Sequence, residues 1–381
     1  MMNSDLERKV AQLLIVGVSG PQLSSEEKKS LNKLAPGGVI LFKRNYQNIN
    51  QVVSLCNDIQ AAIIPHSYKG WATWMGVDHE GGRVQRFGEP FTKIPPAKTC
   101  GDLNSPKTTF ELGFIMAKEL HSVGVRLNFA PVADVPRDMN APALGDRAYS
   151  LDPEIVSSLV SATVRGLQKG GVMAVAKHFP GHGPANVDSH SELPKCHLTK
   201  DQLEACDWMP FRRAIRARCN GIMTAHILNT ALDSERPATL SKKIIRNYLR
   251  NELRFKGLVF SDDMEMGAIV NDYGIDDACL MAVEAGCDHV LICQNFDAAM
   301  SAHERLVKAF EGGLLPLSYL DEALERISNF KNEYIGQYKD STPDFAEAVL
   351  GKPDFQAVAE AIREKRIVEN GPSTIALKVN E

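Results

Sequence analysis

The residues best suited to chemistry are concentrated at positions 172–190, VMAVAKHFPGHGPANVDSH, a stretch that holds three histidines and one aspartate. Its first half is a nearly continuous apolar run, which is typical of a strand buried on both faces. Two prolines and two glycines between positions 180 and 184 prevent regular structure in the second half. Polar groups at the exit of a buried parallel strand lie where α/β enzymes place their active sites. The stretch therefore predicts a catalytic site at a strand end and in the loop that follows.

Nucleophilic attack and proton transfer are the reactions that this stretch and two further carboxylates could perform. His190 follows Asp188 by two residues, so the aspartate can set the pKa of the imidazole and make it a proton donor and acceptor. Asp262 and Asp263 end a separate apolar run, and a carboxylate held at a rigid strand end is ionised at neutral pH and can act as a nucleophile. We expect one of these two aspartates to cap the following helix instead. Together these residues favour cleavage of a glycosidic or ester bond.

Metal binding is the main chemical alternative, since His178, His182, Asp188 and His190 are all potential ligands within one segment. Hydrolytic metal barrels also gather histidines and aspartates at strand ends. Proline and glycine interrupt this segment, however, and it contains neither an HxH nor an HExxH motif. We therefore favour acid–base chemistry without a metal. A structural alternative also stays open, because His178 and His226 adjoin apolar runs and fit the role of hydrogen-bonded core histidines.

Eight short apolar runs alternate with amphipathic segments along the chain. The runs are 13–18, 38–42, 73–77, 126–135, 172–179, 221–227, 257–262 and 289–293. The segments between them carry helix signals, such as Asp152-Pro153-Glu154, which supplies an N-cap, an N1 proline and a first-turn acid. Strict alternation of eight strands with helices predicts an α/β fold, a closed (β/α)8 TIM-type barrel. A doubly wound dinucleotide-binding sheet is disfavoured because no GxGxxG motif is present.

Residues 1–336 form the predicted catalytic barrel, a single domain. Residues 337–381 depart from the alternating pattern: they include the polar segment QYKDSTPDF, a helix predicted over 355–367 and an apolar run over 373–379. Because this extension is too short for a second domain, we expect it to pack on the barrel.

The composition limits the possible partners. The chain has 381 residues, of which 44% are hydrophobic and 24% charged, and its net charge is −4. These values argue against nucleic-acid binding and give no reason to expect attachment to an anionic membrane. The N-terminal sequence lacks the features of a secretory signal, no apolar run approaches the roughly 18 residues that span a bilayer, and the eight cysteines form no CxxC pair. We therefore predict a cytoplasmic protein with reduced thiols and a neutral small-molecule or glycan ligand.

Polar side chains follow five successive runs, from the third to the seventh, and a barrel would bring them to one rim. They are Asp78 to Arg83, Asn128 and Asp134, Lys177 and His178, Thr224 to His226, and Ser261 to Asp263. Gly81-Gly82 predicts a tight turn that aims Arg83 in a specific direction. We include Arg83 and His226 among the candidate substrate-binding residues.

Several motifs resemble those of family 3 glycoside hydrolases of the β-N-acetylglucosaminidase branch. The most specific are KHFPGHG at 177–183 followed by DSH at 188–190, and SDDMEMGA at 261–268. In the expected order, the chain also contains GGVILF from Gly37, GVDHEGGRVQRF from Gly76, NFAPVADV from Asn128, GDRAYS from Gly145, MTAHI from Met223 and PATLS from Pro237. The resemblance covers about residues 8–335.

The resemblance implies a retaining double displacement through a covalent glycosyl-enzyme. The catalytic residues that it implies are Asp262 as nucleophile, His190 as general acid/base and Asp188 as the group that orients His190. The sugar-binding residues that it implies are Asp78, Arg147, Lys177 and His178. A histidine acid/base is unusual, because most retaining glycosidases use two carboxyl groups. The chain departs from the family at His79, where we expect a glutamine, and this change is tolerable if the side chain points away from the sugar.

The single-domain architecture resembles that of Gram-negative cytoplasmic members of the family, which remove non-reducing N-acetylglucosamine from anhydro-muropeptides during cell-wall recycling. We therefore predict a monomeric exo-β-N-acetylglucosaminidase that acts on β-1,4-linked peptidoglycan fragments and needs no metal or organic cofactor. Two alternatives stay open. One is phosphorolysis of the same intermediate, because a neutral histidine repels phosphate less than a carboxylate would; the other is a non-catalytic glycan-binding or sensor barrel. β-Glucosidase or β-xylosidase activity is disfavoured, since those relatives generally lack the DSH element.

Overall fold

The computed structural model describes residues 4–183 and 193–374, and it contains a closed barrel of eight parallel strands. The strands are β1 (Leu14–Gly17), β2 (Gly38–Leu41), β3 (Trp74–Val77), β4 (Leu127–Asn128), β5 (Met173–Phe179), β6 (Gly221–Thr224), β7 (Leu258–Asp263) and β8 (His289–Ile292). Each strand pairs with the next in the sequence, and β8 returns to pair with β1. Each predicted apolar run overlaps one of these strands, so the (β/α)8 prediction is confirmed. The run predicted over 126–135 is much longer than β4, which has two residues.

The strand pairing is irregular at the carboxyl ends of β5 and β7. The register shifts within 176–179 of β5, where it pairs with β6, and within 260–263 of β7, where it pairs with β8. An irregularity of this kind bends a strand and re-aims its side chains. These two segments carry Lys177, His178 and Asp262, so the barrel departs from regular pairing where the candidate site residues lie.

Helices surround the barrel. They are α1 (Asp5–Ala11), α2 (Ser25–Leu34), α3 (Ile49–Ile63), α4 (Ala97–Leu103), α5 (Pro106–Ser122), α6 (Pro153–Lys169), α7 (Lys200–Ala205), α8 (Trp208–Arg216), the π-helical segment Lys243–Glu252, α9 (Gly267–Tyr273), α10 (Ile275–Ala285), α11 (Phe296–Glu311), α12 (Leu317–Tyr334), α13 (Pro343–Glu347) and α14 (Pro353–Arg363). The predicted cap of α6 is present: the Asp152 side chain accepts a hydrogen bond from the Glu154 backbone N–H. Within the described ranges, no helix combines the length and apolarity needed to cross a membrane.

Aromatic side chains fill the barrel interior. Phe129 and Phe260 pack edge to face with ring centroids 5.6 Å apart, and His289 stacks on Phe260 at 5.1 Å. Gly221 permits this packing, because a Cβ at that position would lie 2.6 Å from the Phe260 ring. With the interior packed in this way, the cavity that the candidate residues line opens at the carboxyl ends of the strands.

The C-terminal extension lies against the outer helices: α13 packs on α3 and α5, and α14 packs on α4 and α5. The buried Glu119 carboxylate on α5 accepts hydrogen bonds from Thr92 and from the Gly351 backbone, which ties the extension to the barrel. The helix predicted over 355–367 is instead α14, which starts earlier because Pro353 suits a first helical position and ends before Lys365, whose φ is 56°. Of the run predicted over 373–379, residues 373 and 374 are described, and both are helical.

Candidate active site

A cavity of about 390 Å³ lies at the carboxyl ends of the barrel strands. Its charged and polar lining consists of Asp78, Glu80, Arg83, Arg86, Arg147, Lys177, His178, His182, Asp262 and Asp263. Apolar side chains complete the wall and floor, among them Ile40, Phe42, Leu144, Met223, Met266 and Leu291. The volume is at the small end of the range of about 300–1,000 Å³ that is usual for small-molecule sites.

Four charged side chains form a continuous network on one wall of the cavity. The Lys177 ammonium lies 2.6 Å from Asp78 Oδ1 and 2.7 Å from Glu80 Oε1. Arg147 donates two parallel hydrogen bonds to Glu80, at 2.9 Å from Nε and 2.8 Å from Nη2. A bidentate guanidinium–carboxylate pair is a strong and geometrically specific interaction. The network therefore fixes Asp78, Lys177 and Arg147 relative to one another before any ligand binds.

The network keeps Lys177 and Glu80 ionised. Burial opposes the charge of Lys177, but Asp78 and Glu80 outweigh it and raise the pKa of the ammonium. Burial likewise opposes the charge of Glu80, but Lys177 and Arg147 hold the pKa of this carboxyl well below its usual range. These are the shifts expected when opposite charges approach closely in a poorly solvated site. The wall thus presents fixed charges to a ligand at neutral pH.

His178 is held by the buried carboxylate of Asp134, which follows β4 in the sequence. Its Nδ1 lies 2.7 Å from Asp134 Oδ2, and Asp134 also accepts a hydrogen bond from the backbone N–H of His182 at 2.7 Å. Burial opposes the charge of Asp134, but His178 outweighs it and lowers the pKa of the carboxyl. In the described part of the chain, Nε2 of His178 has no hydrogen-bond partner. It is therefore available to a ligand hydroxyl.

Asp262 lies at the carboxyl end of β7 and lines the cavity. Its Oδ1 accepts a hydrogen bond of 2.8 Å from the backbone N–H of Asp263. Burial raises the pKa of Asp262, but His178, His226, this N–H and Lys177 act in the opposite direction, and the net pKa is lowered. The carboxylate is thus ionised while it faces the cavity, which is the state that a nucleophile requires.

Asp263 has a different environment from its neighbour. Its Oδ1 accepts hydrogen bonds from the backbone N–H groups of Glu265 at 3.1 Å and Cys293 at 3.3 Å. Burial raises the pKa of Asp263 to about 6. Asp263 therefore stabilises the turn before α9, but the expected helix cap is absent, because the N-cap of α9 is Met266 and makes no side-chain hydrogen bond.

His226 lies behind the end of β7, buried from solvent. Its Nε2 donates to the Asp263 carbonyl at 2.9 Å, and its Nδ1 contacts Thr239 Oγ1 at 2.9 Å. Burial lowers the pKa of this histidine, so the ring is neutral and both nitrogens are engaged by the protein. The contacts place His226 as a support for the strand end that carries Asp262, and they leave no ring nitrogen for a sugar.

Arg83 follows the predicted tight turn, in which Gly81 and Gly82 have φ values of 102° and 54°. Its Nη2 donates to the carbonyls of residues 142, 143 and 144 at 3.0–3.2 Å, and its Nε lies 3.3 Å from Asp146 Oδ1. Arg147 also donates to the Ala143 carbonyl, at 3.0 Å. The described contacts of Arg83 therefore fix the 142–146 segment, which forms one wall of the cavity.

His79, the departure from the family pattern, points away from the cavity. Its ring packs on Phe87 and Phe91 with centroids 5.9 and 6.1 Å apart. Burial lowers the pKa of His79 to about 3, so the ring is neutral. The two remaining candidates, Asp188 and His190, lie outside the described residues.

Glu80, Asp134 and Arg86 belong to this site and are not among the candidates predicted from the sequence. Arg86 lines the cavity, and its Nη2 lies 3.6 Å from Asp78 Oδ2. Glu80 and Asp134 follow barrel strands, as the predicted candidates do, but residue type alone does not distinguish them from the other acids of the chain. The available signal was electrostatic: Lys177 and Arg147 bring two cations to the rim, and Asp78 alone cannot balance them. Glu80 is the second carboxylate on the same strand end.

Comparisons with known proteins place this site in a family. The profile described as Glycosyl hydrolase family 3 N terminal domain matches residues 5–330. A β-hexosaminidase from Chromobacterium violaceum is 36% identical over 341 residues, which cover 88% of this chain and 92% of that protein. A β-hexosaminidase from Methylococcus capsulatus is 40% identical over 295 residues, covering 75% of this chain and 84% of that protein.

Solved structures give the same result. A family 3 β-N-acetylglucosaminidase from Paenibacillus sp. str. FPU-7 matches with a TM-score of 0.90 and 32% identity, covering 94% of this chain and 68% of that chain. NagZ from Neisseria gonorrhoeae, in complex with N-trifluoroacetyl-D-glucosamine, matches with a TM-score of 0.76 and 32% identity, covering 93% and 98%. The chain belongs to glycosyl hydrolase family 3 and is a glycoside hydrolase of that family's β-hexosaminidase group.

Proposed function

We propose that the protein is a retaining exo-β-N-acetylglucosaminidase that forms a covalent glycosyl-aspartate at Asp262. The observation that carries the proposal is the state of this carboxylate, which is ionised and faces a sugar-sized cavity next to Lys177 and His178. The complex of the Neisseria NagZ with an N-acylglucosamine supports the choice of sugar.

The reaction has two steps. In the first, Asp262 attacks the anomeric carbon while the bond to the leaving-group oxygen breaks, and His190 donates a proton to that oxygen. In the second, His190 removes a proton from water as the water attacks the same carbon and releases Asp262. Two inversions give net retention. Asp188 orients His190 and tunes its basicity in both steps.

The charged wall positions the sugar ring. Asp78 can accept hydrogen bonds from sugar hydroxyls, while Lys177, Arg147 and His178 donate to hydroxyl oxygens. Because Glu80 holds Lys177 and Arg147, Lys177 contacts Asp78, and Asp134 holds His178, little ordering is needed when the ligand binds. We assign Arg83 and His226 to supporting roles, holding the 142–146 segment and the end of β7 respectively.

The biological substrate that we propose is a β-1,4-linked peptidoglycan fragment, an anhydro-muropeptide with a terminal N-acetylglucosamine, processed by a monomer in the cytoplasm without a metal or organic cofactor. The modest net charge and the pattern of unpaired cysteines in the sequence support this setting.

Trapping the intermediate tests the assignment of the nucleophile. A 5-fluoro-N-acetylglucosaminyl donor should label the peptide that contains Asp262, as read by peptide mass mapping. The matched control is Asp263→Asn, which retains an Oδ1 acceptor for Glu265 and Cys293 and should still be labelled at Asp262. A label on Asp263 would overturn the assignment, and sugar binding without turnover would favour a glycan-binding barrel.

Product analysis with and without phosphate distinguishes free sugar from sugar 1-phosphate and so separates hydrolysis from phosphorolysis.

A further inference from the structure

A second cavity lies on the outer helical layer, apart from the site at the strand ends. It has a volume of about 480 Å³ and is formed by α5, α6 and α8. We call it the arginine groove; it is lined by Pro106, Lys107, Phe110, Ser158, Ser161, Ala162, Arg165, Arg213, Arg216 and Ala217. It shares no lining residue with the candidate active site.

The arginine groove is strongly cationic. Arg165, Arg213 and Arg216 are exposed and form no ion pair within residues 4–183 and 193–374. Lys107 does have a partner, Glu369, at 2.9 Å. None of the residues that line the groove is acidic. Arg218 and Arg254 are likewise exposed without an ion pair among the described residues, but neither lines a groove with other arginines.

Three guanidinium groups in one groove are unfavourable without a counter-charge. Arg213 and Arg216 are one helical turn apart on α8, so their Cβ atoms are about 5–6 Å apart and their charges repel. The chain as a whole has a net charge of −4, so the charge of the groove is opposite in sign to the net charge of the protein. An anionic ligand would relieve the repulsion.

The donors in the groove suit phosphate. Guanidinium groups bind phosphate oxygens bidentately, and serine hydroxyls add single hydrogen bonds. Ser158, Ser161 and Arg165 are spaced i, i+3 and i+7 on α6, so they line one face of that helix opposite the arginines of α8. Phe110 on α5 adds a half-buried aromatic surface for the rest of a ligand.

We propose that the arginine groove is a binding site for a small molecule that carries two or more linked phosphate groups. Cations from two helices can each engage a different phosphate, and the concave shape and volume fit a small ligand better than a flat macromolecular surface. The groove contains none of the residues assigned to glycoside cleavage, so the site is independent of the proposed function.

Ligand-dependent thermal stabilisation tests the proposal, with inorganic pyrophosphate and tripolyphosphate as probes and potassium chloride used to keep ionic strength constant. Both probes should raise the melting temperature of the wild-type protein in a saturable manner. The triple variant Arg165→Gln, Arg213→Gln, Arg216→Gln should weaken pyrophosphate binding at least about tenfold, as expected when charge-assisted hydrogen bonds are lost. Its activity on an aryl β-N-acetylglucosaminide should stay within about twofold of wild type.

The matched control is Lys29→Gln, Lys256→Gln, Lys308→Gln, which removes the same charge from exposed, unpaired positions elsewhere in the described chain. This variant should bind pyrophosphate as the wild type does. Equal weakening in both triple variants, or unchanged binding in the arginine variant, would overturn the proposal. Citrate that binds as tightly as pyrophosphate would overturn the assignment to phosphate. If the arginine triple variant does not fold, the single change Arg213→Gln must still weaken pyrophosphate binding measurably.

Discussion

Two buried lysines at opposite ends of the barrel have opposite electrostatic environments. Lys177 at the carboxyl end is 2% exposed and contacts the carboxylates of Asp78 and Glu80. Lys331, on α12 beside the residues that precede β1, is 4% exposed, and its Nζ donates to Gln12 Oε1 at 3.0 Å. Two indole rings, those of Trp71 and Trp74, also lie near Lys331, with centroids 5.7 and 5.9 Å from the ammonium.

The difference shows what counter-ions do for a buried charge. Burial lowers the pKa of Lys331 to about 7, because no carboxylate among the described residues pairs with it to compensate for the lost hydration. The same burial acts on Lys177, but two carboxylates reverse its effect and raise the pKa. A buried ammonium is costly in either place, and only at the carboxyl end does the chain supply partners for it. We infer that Lys177 is retained for ligand binding, whereas Lys331 could be replaced by an apolar residue.

The largest expected contrast between the two ends is in catalysis. Asp262→Asn removes the proposed nucleophile and should lower kcat by on the order of 10³-fold or more on an aryl β-N-acetylglucosaminide. Lys331→Met, at the other end, should change kcat by less than about twofold. Steady-state kinetics of the two variants measure this contrast. An Asp262→Asn variant with more than a tenth of wild-type activity would contradict the mechanism.

The next contrast compares the lysines directly. Lys177→Met leaves Glu80 with Arg147 and Asp78 with Arg86, and it should reduce the free energy of unfolding by about 3–5 kcal/mol, the usual cost of removing one partner of a buried pair. It should also lower kcat/KM by on the order of 10²-fold, because a sugar-binding donor is lost. Lys331→Met should not reduce stability. Denaturant unfolding and kinetics measure both effects, and equal destabilisation by the two changes would break the comparison.

Glu80 should act as a positioning residue for this wall. Glu80→Gln preserves the size of the side chain but removes the charge that holds Lys177 and Arg147. We expect kcat/KM to fall by about 10-fold, since charge-assisted hydrogen bonds are worth about 1.5–3 kcal/mol and part of this is recovered by the amide. The control is Glu119→Gln, because Glu119 is a buried carboxylate that bonds to Thr92 and Gly351, neither of which lines the cavity. Similar activity losses in the two variants would indicate a purely structural role for Glu80.

The barrel could be predicted from the sequence because its signals are local. Each strand is a short apolar run, and the cap at Asp152 lies next to the helix that it starts. The contacts within the site could not be predicted, because they join residues that are distant in sequence. Glu80 acquires its role from Arg147, 67 residues later, and Asp134 acquires its role from His178, 44 residues later. Neither partner can be identified from spacing alone.

Residue type also predicts less than residue contacts do. Arg83 and His226 have side chains that could bind a sugar, and both were selected for that reason. The fold directs Arg83 to the carbonyls of 142–144 and engages both nitrogens of His226 with Thr239 and Asp263. In each case the deciding partner is distant in sequence, so residue type alone leaves the contact undetermined.

The last contrast concerns stability alone: it is a pH-dependent difference in the free energy of unfolding between wild type and Lys331→Met. The pKa of Lys331 is about 7 in the folded protein, against an ordinary value of 10.5, so between these values the unfolded chain binds a proton that the folded protein does not. Wild-type stability should therefore rise with pH across this window, by up to about 1.4 kcal/mol per pH unit from this group alone. Below pH 7 Lys331 is protonated in both states, so its cost to the free energy of unfolding does not change with pH.

Lys331→Met removes this pH-dependent contribution, so the extra stability of the variant over wild type should shrink as pH rises from 7 to 10.5. Urea unfolding at pH 7, 8 and 9 measures the difference, and a constant difference over this range would mean that Lys331 is charged in the fold and that the two lysines do not differ as described.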